Sequence, residues 1–236
     1  RAGGRNAAAL AQAAGKMERR SLIVMVMKGN VTTIRKCLKK KLDPFRYEHT
    51  LGVAYTAMCL AMKYGEDLYK AEMAGLLHDC AKCYPDDVKL AKCEKYNISI
   101  TEVERRNPSL VHAKLGAFLA MNKYGVTDMD IIDAILNHTT GKPAMTRLEK
   151  IIFVADYIEP RRNKAPNLDM IRRLAFEDLD QATCVILKST LNYLKTREEA
   201  IDEMTLRAYE FYEKEWKKEK GNESVESVTE NGEAGL

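Results

Sequence analysis

The chain is poor in aromatic side chains, which make up 7% of its 236 residues and include one tryptophan, Trp216. It has only 6 prolines, and no apolar run reaches the length of a membrane-spanning helix, roughly 18–20 residues. The apolar stretch at 21–27 is far too short for that role. Strand signals are weak. Residues 151–154 are mostly β-branched, but the spacing around them fits a helix better. Neither sign of charge dominates, with 38 Lys and Arg against 34 Asp and Glu and a net charge of +4. That balance suits an anionic small molecule and does not by itself argue for nucleic acid. The six cysteines (Cys37, Cys59, Cys80, Cys83, Cys93 and Cys184) follow no framework spacing. With no secretion signal, a reduced, cytoplasmic protein is expected.

What is abundant favours helix. Hydrophobic residues reach 46%, enough for a sizeable core, and Leu, Ala, Ile, Met, Lys and Glu dominate. Pro44, Gly65, Pro85, Pro108, Gly125, Gly141, Pro143, Pro160 and Pro166 punctuate the periodic segments. The spacing predicts helices near 21–41, 45–63, 67–81, 86–95, 109–123, 128–138, 146–158, 168–175, 178–195 and 200–218. There is no internal repeat and no linker, so one all-α domain over 21–218 is expected. Residues 1–20, rich in Ala, Gly and Arg, read as a non-native or disordered leader, with Met17 as an alternative start. Residues 219–236, rich in Glu, Ser and Gly, read as a disordered tail.

Histidine is scarce too. There are 4, and each falls on the apolar stripe of a different predicted helix. His49 leads into Val53, Ala57 and Leu60, and His78 follows Ala71, Ala74 and Gly75. His112 precedes Leu115, Gly116 and Leu119, while His138 closes Ile131, Ala134 and Ile135. Asp79 adjoins His78, and Asp156 follows Ile152 and Phe153 on a fifth helix. A lone histidine on an apolar face is usually a satisfied core residue, but here none is left over. Burying unpartnered imidazoles and carboxylates costs several kcal/mol, and a shared divalent ion removes that cost. Imidazole with carboxylate suits zinc, manganese or iron. Small residues beside these positions (Gly52, Ala74, Gly75, Gly116, Ala117) would let helix backbones approach closely.

The ordered set His49, His78–Asp79, His112, His138, Asp156 resembles the signature of the HD superfamily of metal-dependent phosphohydrolases. Four local words, HDCAK at 78–82, HAKLGA at 112–117, HTTG at 138–141 and ADYIEPRR at 155–162, are most similar to the YqeK-type branch, symmetrical diadenosine tetraphosphate hydrolases of bacteria. The resemblance spans about residues 40–210. It implies a single HD-domain helical bundle with the metal site between central helices. One ion would be held by His49, His78, Asp79 and Asp156, and a second by His112 and His138, with Asp79 bridging. It further implies a divalent metal, iron by preference, with manganese or cobalt able to substitute.

Such a pair of ions, about 3.5–4 Å apart, activates a hydroxide for in-line attack on phosphorus. Asp79 and Lys82 are the expected catalytic groups, and Lys82, Thr139 and Arg161 the expected substrate contacts. Lys82 stands one turn after Asp79, although a lysine there can equally snorkel from a helix end. Arg161 follows Pro160, where a loop would carry it toward the cleft, and Glu159 could orient it. Thr139 and Thr140 offer hydroxyls to a phosphate or cap a helix. Attack giving two ADP from diadenosine tetraphosphate rests on the resemblance alone. The expected partner is a small-molecule dinucleoside polyphosphate, with neither nucleic acid nor membrane; a homodimer is compatible with the sequence. Cys80-x-x-Cys83 lacks the βαβ setting of a redox motif, and the basic run at 35–41 lacks interleaved aromatics. Two other readings stay open on the residues alone: another HD-type nucleotide phosphohydrolase or phosphodiesterase, and a non-catalytic nucleotide-sensing module.

Overall fold

A computed structural model describes residues 30–197 and 200–230. The expected leader at 1–20 and the first part of the predicted 21–41 helix lie outside the described residues. Among the described residues there are eleven helices and no strand. In chain order α1 is Val31–Lys41, α2 Pro44–Tyr64, α3 Leu68–Leu77 and α4 Asp86–Lys95. Then come α5 Glu102–Arg106, α6 His112–Asn122, α7 Met129–Asn137 and α8 Arg147–Ile158. The last three are α9 Leu168–Glu177, α10 Leu179–Thr196 and α11 Glu203–Glu230. No helix among the described residues is long and apolar enough to cross a membrane.

Local chemistry sets the starts and stops. The Asp43 carboxylate accepts from Arg46 N at 2.9 Å with Pro44 in the first helical position, and Gly65 ends α2 at φ 67°. A glycine serves there because the left-handed conformation costs it nothing. Thr146 and Glu149 form a reciprocal capping box that fixes the start of α8, the helix carrying Asp156.

The all-α expectation holds, with four local differences. The predicted 67–81 helix stops at Leu77, and residues 78–84 form tight turns in which Cys80 N donates to Leu77 O and Lys82 N to Asp79 O. The cause is His78 itself. Its Nδ1 lies 2.7 Å from Gly75 O, and it draws off a carbonyl near the helix end. The predicted 109–123 helix begins only at His112. The short α5 was not expected, although Thr101-x-x-Glu104 forms a capping box at its start. Finally, α11 continues to Glu230, beyond the boundary expected at 218; Lys217–Glu213 and Lys218–Glu215 pairs brace its charged surface.

The core is a bundle in which α2, α3, α7 and α8 pack on one another. Helix α6 leans on α7, and α10 covers α8 while α9 and α11 pack against α10. Leu60, Leu76, Leu77, Leu115, Ile131, Ile135, Ile151 and Ile152 are fully buried between these layers. The α2–α3 contact is unusually close because Gly75 has no side chain. A Cβ at that position would lie 2.7 Å from Ala54 Cα, backbone that cannot yield. This approach carries His49 on α2 alongside His78 at the end of α3.

Gly75→Ala should therefore destabilise the fold despite alanine's better helix propensity, a gain of about 1 kcal/mol. Overpacking a rigid contact costs about 1–3 kcal/mol, so urea unfolding should show a net loss. A variant as stable as the parent would mean that this contact is not tight.

Candidate metal centre

Helix ends, rather than helix middles, deliver most of the polar groups. His78 caps α3, with Asp79 one residue further into the turn. His138 caps α7, and His112 is the first residue of α6. Only His49 and Asp156 project from helix interiors, on α2 and α8. All six sequence-predicted ligands come together. His49, His78, Asp79, His112 and His138 are buried, and Asp156 keeps 22% of its side chain exposed.

Asp79 is the centre of the cluster, and its two oxygens face different histidines. Oδ2 lies 3.8 Å from His49 Nε2 and 3.5 Å from His78 Nε2. Oδ1 lies 3.3 Å from His112 Nε2 and 3.7 Å from His138 Nε2. Asp156 Oδ1 closes the first side, at 3.1 Å from His49 Nε2 and 3.9 Å from His78 Nε2. Three combinations have donor atoms near enough to share one ion: His49, His78 and Asp79; His78, His138 and Asp156; and Asp79, His112 and His138.

The outward nitrogens show what the inward ones can do. Nδ1 of His78, His112 and His138 each meets a backbone carbonyl, of Gly75, Ser109 and Ile135 in turn. Nδ1 of His49 meets Glu159 Oε1 at 3.1 Å. Carbonyls and carboxylates only accept, so in the neutral ring each Nδ1 carries the proton and each Nε2 presents a lone pair to the centre. His112 Nε2 and His138 Nε2 then face each other at 3.1 Å. Nε2 of His49 and of His78 are buried with no geometrically satisfied hydrogen bond. Lone pairs converging with carboxylate oxygens in a buried site would be stabilised by a shared cation. The donor set and its carbonyl supports fit a divalent metal.

The electrostatics agree. Burial pushes the His112 pKa down to about 4, leaving the neutral ring that a metal needs. Burial opposes charge on Asp79, but the imidazoles of His78, His112 and His138 outweigh it and hold the carboxyl well below its usual range. Burial likewise opposes charge on His49, yet Asp156, Glu159 and Asp79 raise its pKa. An imidazole surrounded by carboxylates thus shows the pull of the pocket for positive charge.

Two arginines contribute cations here. Arg46 donates to Asp79 Oδ2 at 2.7 Å, and Arg162 donates to Asp156 Oδ1 at 2.7 Å. Sequence reasoning overlooked Arg46, although its position three residues before His49 on one helix was the available signal. It favoured Arg161 over Arg162, but the Arg161 guanidinium pairs with exposed Glu48 at 3.1 Å. Glu159 accepts the Arg161 backbone N–H rather than its side chain. Lys82 is half-buried near Asp79 and Asp156. Desolvation pushes its pKa down while Asp79 pulls the other way. Thr139 Oγ1 lies 3.2 Å from His112 Nε2 and 3.1 Å from His138 Nε2, so it belongs to the cluster, whereas Thr140 bonds Gly141 O. No sequence signal pointed to the Glu159 contact with His49, a pairing across 110 positions.

Comparison with known proteins gives the same centre a family. The HD domain model matches residues 46–161. The protein named symmetrical bis(5'-nucleosyl)-tetraphosphatase from Bacillus subtilis (strain 168) is 42% identical over 175 residues, covering 73% of this chain and 92% of the relative. A protein of the same name from Halalkalibacterium halodurans is 39% identical, covering 73% and 91%. Among solved structures, one described as a predicted HD superfamily hydrolase involved in NAD metabolism, from Clostridium acetobutylicum, superposes with a TM-score of 0.75. It is 37% identical and is matched over 78% of this chain and 97% of its own. The chain belongs to the HD domain family, in the branch that holds these symmetrical bis(5'-nucleosyl)-tetraphosphatases.

Proposed function

We propose that this protein hydrolyses symmetrical dinucleoside tetraphosphates, taking diadenosine tetraphosphate to two ADP at a centre built for two divalent ions. One observation carries the two-ion reading: the oxygens of Asp79 are divided between His49 with His78 and His112 with His138. His49, His78, Asp79 and Asp156 would hold one ion, and Asp79, His112 and His138 the other. The substrate class is supported by the names of relatives matched over nearly their full length. Imidazole with carboxylate accepts iron, manganese, cobalt or zinc, and the family resemblance favours iron.

Divalent ions bound there would polarise the phosphate and lower the pKa of the attacking water. The chain's own groups supply the rest. Arg46, Lys82 and Arg162 set positive charge where the non-bridging oxygens of a polyphosphate must lie, and an arginine fork suits such oxygens. Preorganised charge of this kind is usually the largest catalytic term. In the unliganded arrangement the arginines neutralise Asp79 and Asp156, and substrate would compete for them. Thr139 offers a hydroxyl on the His112 and His138 side, and Arg161 stands at the rim. Asp79 and Lys82 are the catalytic pair in this reading.

Product analysis tests the substrate assignment. Diadenosine tetraphosphate should yield ADP alone, while AMP with ATP as products would assign the enzyme to a different cleavage. Metal analysis tests the centre. The parent should retain two ions per chain, His112→Ala should lose one of them, and Asp79→Ala should lose both along with activity while helical content persists. Equal metal content in all three proteins would rule out this ligand set. Glu159→Ala should weaken retention of the His49-side ion by about 10–100-fold, the usual effect of removing the partner that orients a ligand. Unchanged affinity would show that Glu159 does not orient His49.

A further inference from the structure

The segment that follows Asp156 walls a groove of about 640 Å³. Arg162 lines this groove and also grips Asp156, so it joins the groove directly to the metal centre. Ala165, Leu168 and Met170 give the groove apolar surface, while Asn163 and Arg173 give it polar groups. The wall is anchored by Arg172. Its guanidinium donates to the carbonyls of Ile158, Glu159 and Arg162, which ties the segment to the end of α8. Arg173 is different, because it has no hydrogen-bond or ion-pair partner among the described residues. Six of its ten lining residues are polar, Arg162, Arg172 and Arg173 against the single carboxylate of Asp169, so the groove favours an anion beside a small apolar patch.

We propose that this groove receives one nucleoside diphosphate half of the substrate. The base would lie against Ala165, Leu168 and Met170, and the phosphates would run from Arg173 to Arg162. This inference rests on the hydrolase reading above and extends it. A symmetrical tetraphosphate cut at its middle places the scissile bond at Asp79 and Asp156, and each half must then extend away from the cluster. The groove includes the cation that touches Asp156, carries the uncommitted Arg173 as well, and has apolar surface at Ala165, Leu168 and Met170. The same geometry makes ADP, the product, a competitive inhibitor.

The test is titration of ADP and of inorganic pyrophosphate into the metal-loaded full-length protein, alongside steady-state kinetics on diadenosine tetraphosphate. Arg173→Ala is a surface substitution and should weaken ADP binding about tenfold, the scale of one hydrogen bond to a charged group. Ala165→Trp fills the groove. It should raise KM for diadenosine tetraphosphate, and the inhibition constant of ADP with it, while kcat, metal content and pyrophosphate binding stay near parental values. Parental ADP affinity in both variants overturns the groove assignment. So does an equal loss of ADP and pyrophosphate binding in Ala165→Trp, since the base would then lie elsewhere. A parental protein that neither cleaves diadenosine tetraphosphate nor binds ADP instead defeats the hydrolase reading, and the groove assignment falls with it.

Discussion

The structure turns on one buried carboxylate. Asp79 sits among four imidazoles, each of whose protonated nitrogen is already committed outward, so four lone pairs and a negative charge point at a common space. In a low-dielectric core that arrangement is unfavourable without positive charge, part of which Arg46 supplies at Asp79 Oδ2. The helices are arranged around this demand. Gly75 lets α3 close on α2, the turn after Leu77 points Asp79 inward, and the ends of α6 and α7 bring the second histidine pair to the other carboxylate oxygen. The packing that buries the leucines and isoleucines is thus the same packing that gathers the lone pairs.

Much of this was legible in the residues. Prolines, glycines and apolar spacing set the helix count nearly correctly, and the absence of any surplus histidine singled out the four imidazoles that the structure gathers with Asp79 and Asp156 into one cluster. The misreadings share a physical cause. Periodicity reports which face is buried but not where a helix stops. His78 continues the apolar stripe of α3, yet its ring takes Gly75 O and closes the helix. The short α5 had a legible sign in Thr101 and Glu104, but five residues are too few to show a period. The choice between Arg161 and Arg162 depended on the turn after Pro160, and neighbouring residues on a turn can point in opposite directions. The contact of Glu159 with His49 joins distant segments, and no local pattern encodes such a pairing.

Ligands at helix ends carry an energetic advantage. The last carbonyls of a helix lack partners within it. Nδ1 of His78 and Nδ1 of His138 each engage such a carbonyl, three residues back. One side chain thus finishes the helix, fixes its own tautomer and aims its other nitrogen inward. The rings are oriented by backbone hydrogen bonds before any ion arrives, so little ordering remains to oppose binding. His49, in the middle of α2, has no free carbonyl to use, and the carboxylate of Glu159 takes that part.

That carboxylate has a second oxygen. Glu159 Oε1 meets the ring of His49, while Oε2 accepts the backbone N–H of Arg161 at 2.8 Å, and Gly52 leaves the room in which both contacts fit. The tilt of the His49 imidazole and the position of the chain entering the arginine-bearing segment are thereby coupled through a single carboxylate. An anion that drew Arg162 away from Asp156 would pull on the residue next to Arg161, whose N–H is held by the same carboxylate that holds the ring of His49.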